Sequence, residues 1–455
     1  MKQTQGMDMT HGPLLGKLLL FSLPLMASNF LQLLFNAADV VVVGRYAGYG
    51  SLAAVGSTSS TIYLFTNLLI GISVGVNVVI ARYLGEGQRE AEINRAIHTA
   101  MLVALVGGAA LGAVGFLAAD GMLTLLSTPA DIYDKTMLYL RIYFLGTPFV
   151  MLYNYGAAAL RAAGDTRRPL LYLFLSGAAN LGMNLLFVIP LHMDVAGVGL
   201  ATVLSQLLSA ALVLAYLARV EGPFHFSPRN LQIDRFSLKR MAHIGVPAGI
   251  QSCLFSLSNV AIQGAVNSYG SSVIMAGCSA GESVENFLYT AMNAFHHACQ
   301  TFISQNIGAG RYERIRDIVR LCMLCTVLLG TVLTAGILLC SDGLIAIFNP
   351  APAVIAAGSS RLWTVATFYV IFGAADVLMG AIRGYGIPIA PVIINLLGTC
   401  VLRLVWVQVL DTSRYGVEYI YLSYPATWAV ILVTLSVFWI CLRRREARRL
   451  AALAG

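Results

Sequence analysis

Apolar runs long enough to cross a bilayer, about 20 residues each, recur about twelve times along the 455 residues, separated by short polar or Gly/Pro breaks. They fall near 14 to 43, 52 to 81, 96 to 118, 135 to 160, 169 to 190, 195 to 218, 241 to 267, 273 to 304, 318 to 341, 354 to 382, 390 to 410 and 419 to 442. With 58% apolar and only 11% charged residues, such a chain cannot fold as a soluble domain. Barrel strands would alternate apolar and polar over about ten residues, so unbroken runs of this length predict membrane helices. The expected fold is an all-α integral membrane protein with 12 transmembrane helices.

The net charge of +8 does not imply a nucleic-acid partner, because it sorts by loop. One side collects Lys2, Lys17, Arg82, Arg89, Arg95, Arg161, Arg167, Arg168, Arg219, Arg229, Arg235, Lys239, Arg240, Arg311, Arg314, Arg316, Arg320, Arg383 and the tail run from Arg443 to Arg449. Only Arg45, Lys135, Arg141, Arg361 and Arg414 fall on or near the other. The positive-inside rule then expects both termini in the cytoplasm of a multi-pass protein in a plasma membrane of the bacterial inner-membrane type, with the tail anchored at an anionic leaflet. The first apolar stretch is too long for a secretory signal and lacks a small-residue cleavage site after it, so the first helix is expected to stay in the mature chain. All eight cysteines lie in the second half, mostly inside predicted helices, where packing is the expected role.

Sliding the chain halfway along itself sets Pro24 on Pro247, Asn36 on Asn259, Gly85 on Gly308 and Gly87 on Gly310 in a single register. With the register slipped by one position, Arg161 meets Arg383, Gly164 meets Gly386 and Pro169 meets Pro391. Six helices per repeat is an even number, so the repeats share one orientation and a pseudo-two-fold axis along the membrane normal. Transporters use that geometry, with a site near the midplane and rocking of the halves around it. The expected organisation is a six-helix lobe over 1–220, a cytoplasmic linker over 221–239, a second lobe over 240–443 and a basic cytoplasmic tail over 444–455.

Asp39 is the only charge between Lys17 and Arg45. A carboxylate at the centre of a membrane helix costs roughly 2.5 to 3.5 kcal/mol on insertion scales and usually faces a cavity, a partner or an ion path. Asn29, Gln32, Asn36 and Asp39 recur every three or four residues and form one polar stripe, expected to face the interior of the first lobe, with Pro24 as a bend point. Asn180 and Asn184, and Thr202 and Gln206, repeat the i, i+4 spacing on the fifth and sixth segments and are candidates to converge on Asp39. One carboxylate among amide and hydroxyl oxygens either binds a proton reversibly or ligates a small hard cation; the residues leave both open. The plainer reading is a buried Asp satisfied by its neighbours, with Asn and Gln as interhelical glue.

The second half has Ile262 where the first has Asp39. Its charges are Glu282 and Glu285 on the eighth segment, Asp376 in the tenth and Arg403 in the eleventh. One reading is a structural ion pair between Asp376, or Glu285, and Arg403. The other is a substrate cavity using Gln32, Asn36, Glu282, Glu285 and Asp376, in which an unpaired acid and the faces of Tyr289, Phe295 and Phe368 attract an organic cation. His296 and His297 are adjacent and suit packing or hydrogen bonding better than a metal. The sequence carries no nucleotide-binding or hydrolase motif, so a transporter is expected rather than an enzyme, with a channel or a membrane enzyme as the competing classes.

The segments FNAADVVVVGRYAG (35–48), ARYLGEGQRE (81–90), LRAAGDTRRP (160–169), GVGLATVLSQ (197–206), FISQNIGAGRYERI (302–315) and IRGYGIP (382–388) together resemble the multidrug and toxin extrusion (MATE) family. The resemblance covers nearly the whole chain and implies two six-helix bundles. It also implies export of small amphipathic, often cationic compounds by antiport with H+ or Na+, no other cofactor, and a monomer in the lipid bilayer. It is closest to the branch with its essential carboxylate in the first helix, here Asp39. Some members complete a cation site with an Asn and an Asp in the fifth helix and a Thr in the sixth; the matching positions are Asn180, Asn184 and Thr202. Asn184 departs from the pattern and leaves Asp39 as the only acid there. Positions that carry acids in another branch are Phe255 and Ile387 here. A lipid-linked precursor flippase of the same superfamily is the alternative reading, and it predicts a basic cavity.

Overall fold

The computed structural model describes residues 6–87, 89–125, 128–409 and 416–454, with helices throughout and no strand among them. Lys2 and Arg414, assigned above to the two membrane faces, lie outside the described residues.

Helix α1 (Leu14–Val42) runs on into a π-helical turn, Val43–Ala47, that Gly48 ends. There follow α2 (Tyr49–Glu86), α3 (Glu90–Leu125), α4 (Ala130–Leu145), α5 (Thr147–Ala162), α6 (Arg167–Val188) and α7 (Asp194–Arg219). The second repeat contains α8 (Arg235–Asn267), α9 (Ser272–Gly308), α10 (Arg314–Leu339), α11 (Ser341–Phe348), α12 (Pro352–Val365) and α13 (Tyr369–Gly384). It closes with α14 (Ile389–Asn395), a π-helical segment Leu396–Leu402, α15 (Arg403–Val409) and α16 (Glu418–Ala454).

Among the described residues ten helices are long and apolar enough to cross a membrane. The set omits residues 130–162, which break at Gly146, and α9. The latter carries Glu282, Glu285, Asn293, His296, His297 and Gln300, so its polarity, not its 37 residues, sets it apart.

Backbone geometry carries the duplication. Left-handed glycines recur at matching positions of the two repeats, Gly87 with Gly310 and Gly164 with Gly386. Asp194, at φ 52°, is the counterpart of Gly416, at φ 81°, so a side chain bears in one repeat the conformation that glycine supplies in the other. Its carboxylate is held by Ser51 and by Lys135 Nζ at 2.6 Å, which ties the start of α7 to α2 and α4.

The chain folds as two compact units. The first comprises residues up to Gly12, Leu23–Gly249 and Gln305–Gly310; the second comprises Pro13–Ser22, Ile250–Ser304 and the chain from Arg311 on. This division departs from the expected 1–220 and 240–443. The stretch expected as a linker, 221–239, belongs to the first unit, where Phe224 and Phe226 are buried in its core. Asn94 Nδ2 donates to the His225 carbonyl at 2.7 Å, and the Ser227 amide donates to His98 Nε2 at 3.1 Å. Asp234 then caps α8 by accepting from the Ser237 amide at 2.8 Å. The basic tail expected from 444 likewise continues α16, which runs to Ala454.

In the first unit, Ile80, Tyr83, Ile97, Ala100, Tyr155 and Ala158 form the core between α2, α3 and α5. Within it α2 and the end of α9 meet through glycine: a Cβ on Gly85 would lie 1.9 Å from the Gln305 carbonyl oxygen, and one on Gly308 would lie 2.2 Å from that of Arg82. Gly85 and Gly308 are repeat counterparts, so the duplication supplies both sides of this close approach. In the second unit Leu288, Met292, Leu362, Tyr421 and Trp428 pack together.

Candidate functional site: a carboxylate held by two carboxamides

Helix α1 reaches α6 because Gly177 lacks a side chain: a Cβ there would lie 2.0 Å from the Phe35 ring. Asp39 is one turn beyond Phe35, and Asn180 and Asn184 follow Gly177 at one-turn intervals, so closing the first contact aligns the next. Asn184 Nδ2 donates to Asp39 Oδ1 at 2.7 Å. Asn180, with its amide nitrogen turned to the carboxylate, donates to Oδ1 at 2.7 Å and to Oδ2 at 3.3 Å. The hydrogen-bond network assigns that orientation. Among the described residues no basic side chain pairs with Asp39.

The sixth predicted segment contributes a different hydroxyl from the one expected. Thr202 Oγ1 donates to its own helix, at 3.0 Å from the Val198 carbonyl. Ser205, on the same face of α7, likewise donates to its own helix, to the Thr202 carbonyl at 2.8 Å, and its Oγ lies 3.4 Å from the Asn180 side chain. Tyr139 on α4 is an electrostatic neighbour of Asp39 as well. Neither Ser205 nor Tyr139 is singled out by sequence reasoning, although Ser205 lies one turn from Thr202 and shares its periodicity. The polar stripe is not enclosed as expected, because α1 packs on one side only: Asp39 is half-buried, whereas Gln32 and Asn36 are exposed. At Pro24 the helix lacks one amide donor, and Ser28 Oγ donates to the Pro24 carbonyl at 2.9 Å.

In the second unit the expected pair of Asp376 or Glu285 with Arg403 does not form. Glu285 faces Arg361 in a bidentate pair, Nε to Oε1 and Nη2 to Oε2, both at 2.9 Å, with both side chains buried. Arg361 is thus part of the interior and not of a membrane face; its position inside the apolar stretch 354–382 is the signal that points there. His296 Nδ1 lies 2.8 Å from the Asp376 carbonyl oxygen and 3.0 Å from its Oδ1, and Asn293 Nδ2 donates to Oδ2 at 3.2 Å. Carboxylate choice follows reach: α9 presents Asn293 and His296 one turn apart to α13, and presents Glu285 to α12. Glu282 is partly buried and makes no ion pair among the described residues. Of the expected cavity aromatics, Tyr289 and Phe368 are exposed and Phe295 is buried.

The MatE family model matches residues 24–186 and 247–407, one stretch in each repeat. The chain belongs to the MatE family. It is therefore a multi-pass membrane protein of a transporter family. It is 29% identical over 399 residues to the probable multidrug resistance protein YpnP of Bacillus subtilis, covering 87% of this chain and 88% of that one. It is 25% identical over 427 residues to the FAD transporter of Shewanella oneidensis, with 92% and 93% covered. The fold matches the outward-facing conformation of a multidrug resistance MATE family transporter of the MOP superfamily at a TM-score of 0.90, with 19% identity over 98% of this chain and 100% of that one. In this MatE chain the two amides on Asp39 lie 3.2 Å apart, close enough to act on one ion.

Proposed function

We propose that the protein exports small amphipathic, cationic compounds by antiport, with Asp39 holding the coupling ion. The observation that carries this reading is a half-buried carboxylate with two amide donors and no basic partner among the described residues. Such a group takes its countercharge from solution as H+ or Na+. A carboxamide has a donor end and an acceptor end. Rotation of Asn180 and Asn184 by half a turn about the terminal bond replaces two N–H groups facing the carboxylate with two oxygens suited to a hard cation. Oδ1 of Asn184 is buried and without a partner among the described residues, ready for that exchange.

Ion binding then changes what α1 packs against, and Pro24 lets the half of α1 that carries Asp39 bend. A ligand shifts such an equilibrium only by its differential affinity for the two states. Exposed Gln32 and Asn36 are the side chains of α1 proposed to meet the cargo. The full reading includes twelve spans, both termini in the cytoplasm, residence in a bacterial inner membrane and a monomer as the working unit. Relatives named as multidrug resistance proteins support export of drugs and do not favour the lipid-precursor flippase.

The test is ethidium efflux from proteoliposomes with an imposed Na+ or H+ gradient, comparing the wild type with Asp39→Asn. One gradient is expected to drive efflux and the substitution to abolish it. Normal gradient-driven efflux by a well-folded Asp39→Asn protein overturns the proposal.

A further inference from the structure

Arg403 opens α15 directly after the π-helical segment Leu396–Leu402, and its side chain is wholly buried. A π turn adds a residue to the helical repeat and re-aims the side chains beyond it; such turns gather at functional sites. Nη2 donates to Thr427 Oγ1 at 3.2 Å, and the guanidinium carbon lies 4.0 Å from the centre of the Tyr424 ring. Nε and Nη1 are buried with no acceptor among the described residues.

No carboxylate pairs with it among the described residues. Arg361 lies 5.4 Å from the same Tyr424 ring, so one tyrosine contacts two guanidinium groups. The buried carboxylate beside them, Glu285, gives both oxygens to Arg361. Asp376 is engaged by His296 and Asn293. A guanidinium does not lose its proton inside a protein. A buried cation that lacks both a paired carboxylate and acceptors for its N–H groups is strongly disfavoured.

We propose that the second unit holds a binding site for a small monoanion, a halide or a carboxylate, accepted by Arg403 Nε and Nη1. Glu282 and Glu285 both lie in the electrostatic surroundings of Tyr424 with the two guanidinium groups, so the open N–H groups of Arg403, and not a net charge, hold the anion. It differs from the Asp39 site in charge and location, and its occupancy does not depend on the coupling reading. The carboxylate arrives as a free anion or as part of an otherwise amphipathic cargo, which would give the transporter a preference for zwitterions.

The experiment uses the purified full-length protein and reads binding, not transport. Thermal unfolding is followed while chloride or acetate replaces gluconate, a bulky anion, at constant ionic strength. Binding of rhodamine 110 is compared with that of its methyl ester, rhodamine 123, which lacks the free carboxylate. The wild type is expected to show saturable stabilisation by chloride or acetate, which marks a free anion, or tighter binding of rhodamine 110, which marks a carboxylate on the cargo. Either effect should weaken by about tenfold or more in Arg403→Gln, the scale of one charge-assisted hydrogen bond. Should that variant not fold, Arg403→Lys keeps the charge with fewer donors and is expected to bind about tenfold more weakly. A wild type indifferent to all three anions and to the dye pair, or a response of the same size in a folded Arg403 variant, overturns the proposal.

Discussion

Replacing Asn184 with Asp sets a second carboxylate where an amide nitrogen now donates to Asp39 at 2.7 Å. Two negative groups with charge centres about 4 Å apart repel by about 4 kcal/mol at the effective dielectric of ~20 that protein sites show. Asp39 is half-buried, so solvent screens part of that repulsion, leaving ~2.7 kcal/mol, about a hundredfold in a binding constant. The variant relieves the repulsion by holding a cation between the two groups, while Asn180 turns its oxygen toward the ion. Na+ affinity is therefore expected to rise about a hundredfold over wild type. Radiolabelled Na+ binding to the purified protein, at alkaline pH where protons compete least, measures it directly. Asn184→Ala removes the donor without adding charge and controls for loss of the hydrogen bond. A folded Asn184→Asp protein with wild-type Na+ affinity would refute the placement of Asp39 and Asn184 at one ion site.

The buried pair in the second unit makes a separate prediction: Glu285→Gln leaves Arg361 without its countercharge and should cost about 3 to 5 kcal/mol of stability, a loss that adding Arg361→Gln partly restores. Denaturation of the two single variants and the double variant checks this, and simply additive losses would contradict it. At the amino-terminal end, burial favours a protonated Asp8, but the hydroxyl and amide of Thr10, with His11 beside them, outweigh it and hold the carboxyl at about 2. The folded value lies below the unfolded value of about 3.9, so this contribution is present above pH ~4 and is lost as pH falls through about 2. Protection of the Thr10 amide from hydrogen exchange, relative to its intrinsic rate at each pH, should fall over that window in the wild type and show no such step in Asp8→Asn.

Helices are legible in this sequence because a membrane imposes length and apolarity together, and both can be read directly. Asp39, Asn180 and Asn184 are legible too, since helical spacing puts each set on one face and a polar face in an apolar helix needs a partner. Partner choice between helices follows other rules. Glu285 selects Arg361 over Arg403 because the register between α9 and α12 aligns two forks at 2.9 Å, and no spacing along either helix encodes that register. Ser205 replaces Thr202 beside Asn180 for a related reason. Both hydroxyls bond their own backbone, Thr202 to Val198 and Ser205 to Thr202, and composition does not say which of the two lies against a neighbouring helix. The π-helical turns are a further case. Val43–Ala47 begins four residues after Asp39, and Leu396–Leu402 ends where Arg403 begins. Both stretches read as ordinary apolar helix. Each adds a residue per turn that rotates the flanking side chains away from the positions a regular helix would give them. Both charges sit beside such a turn, so the irregularity absent from the sequence pattern bears on where each charge points and on what can reach it.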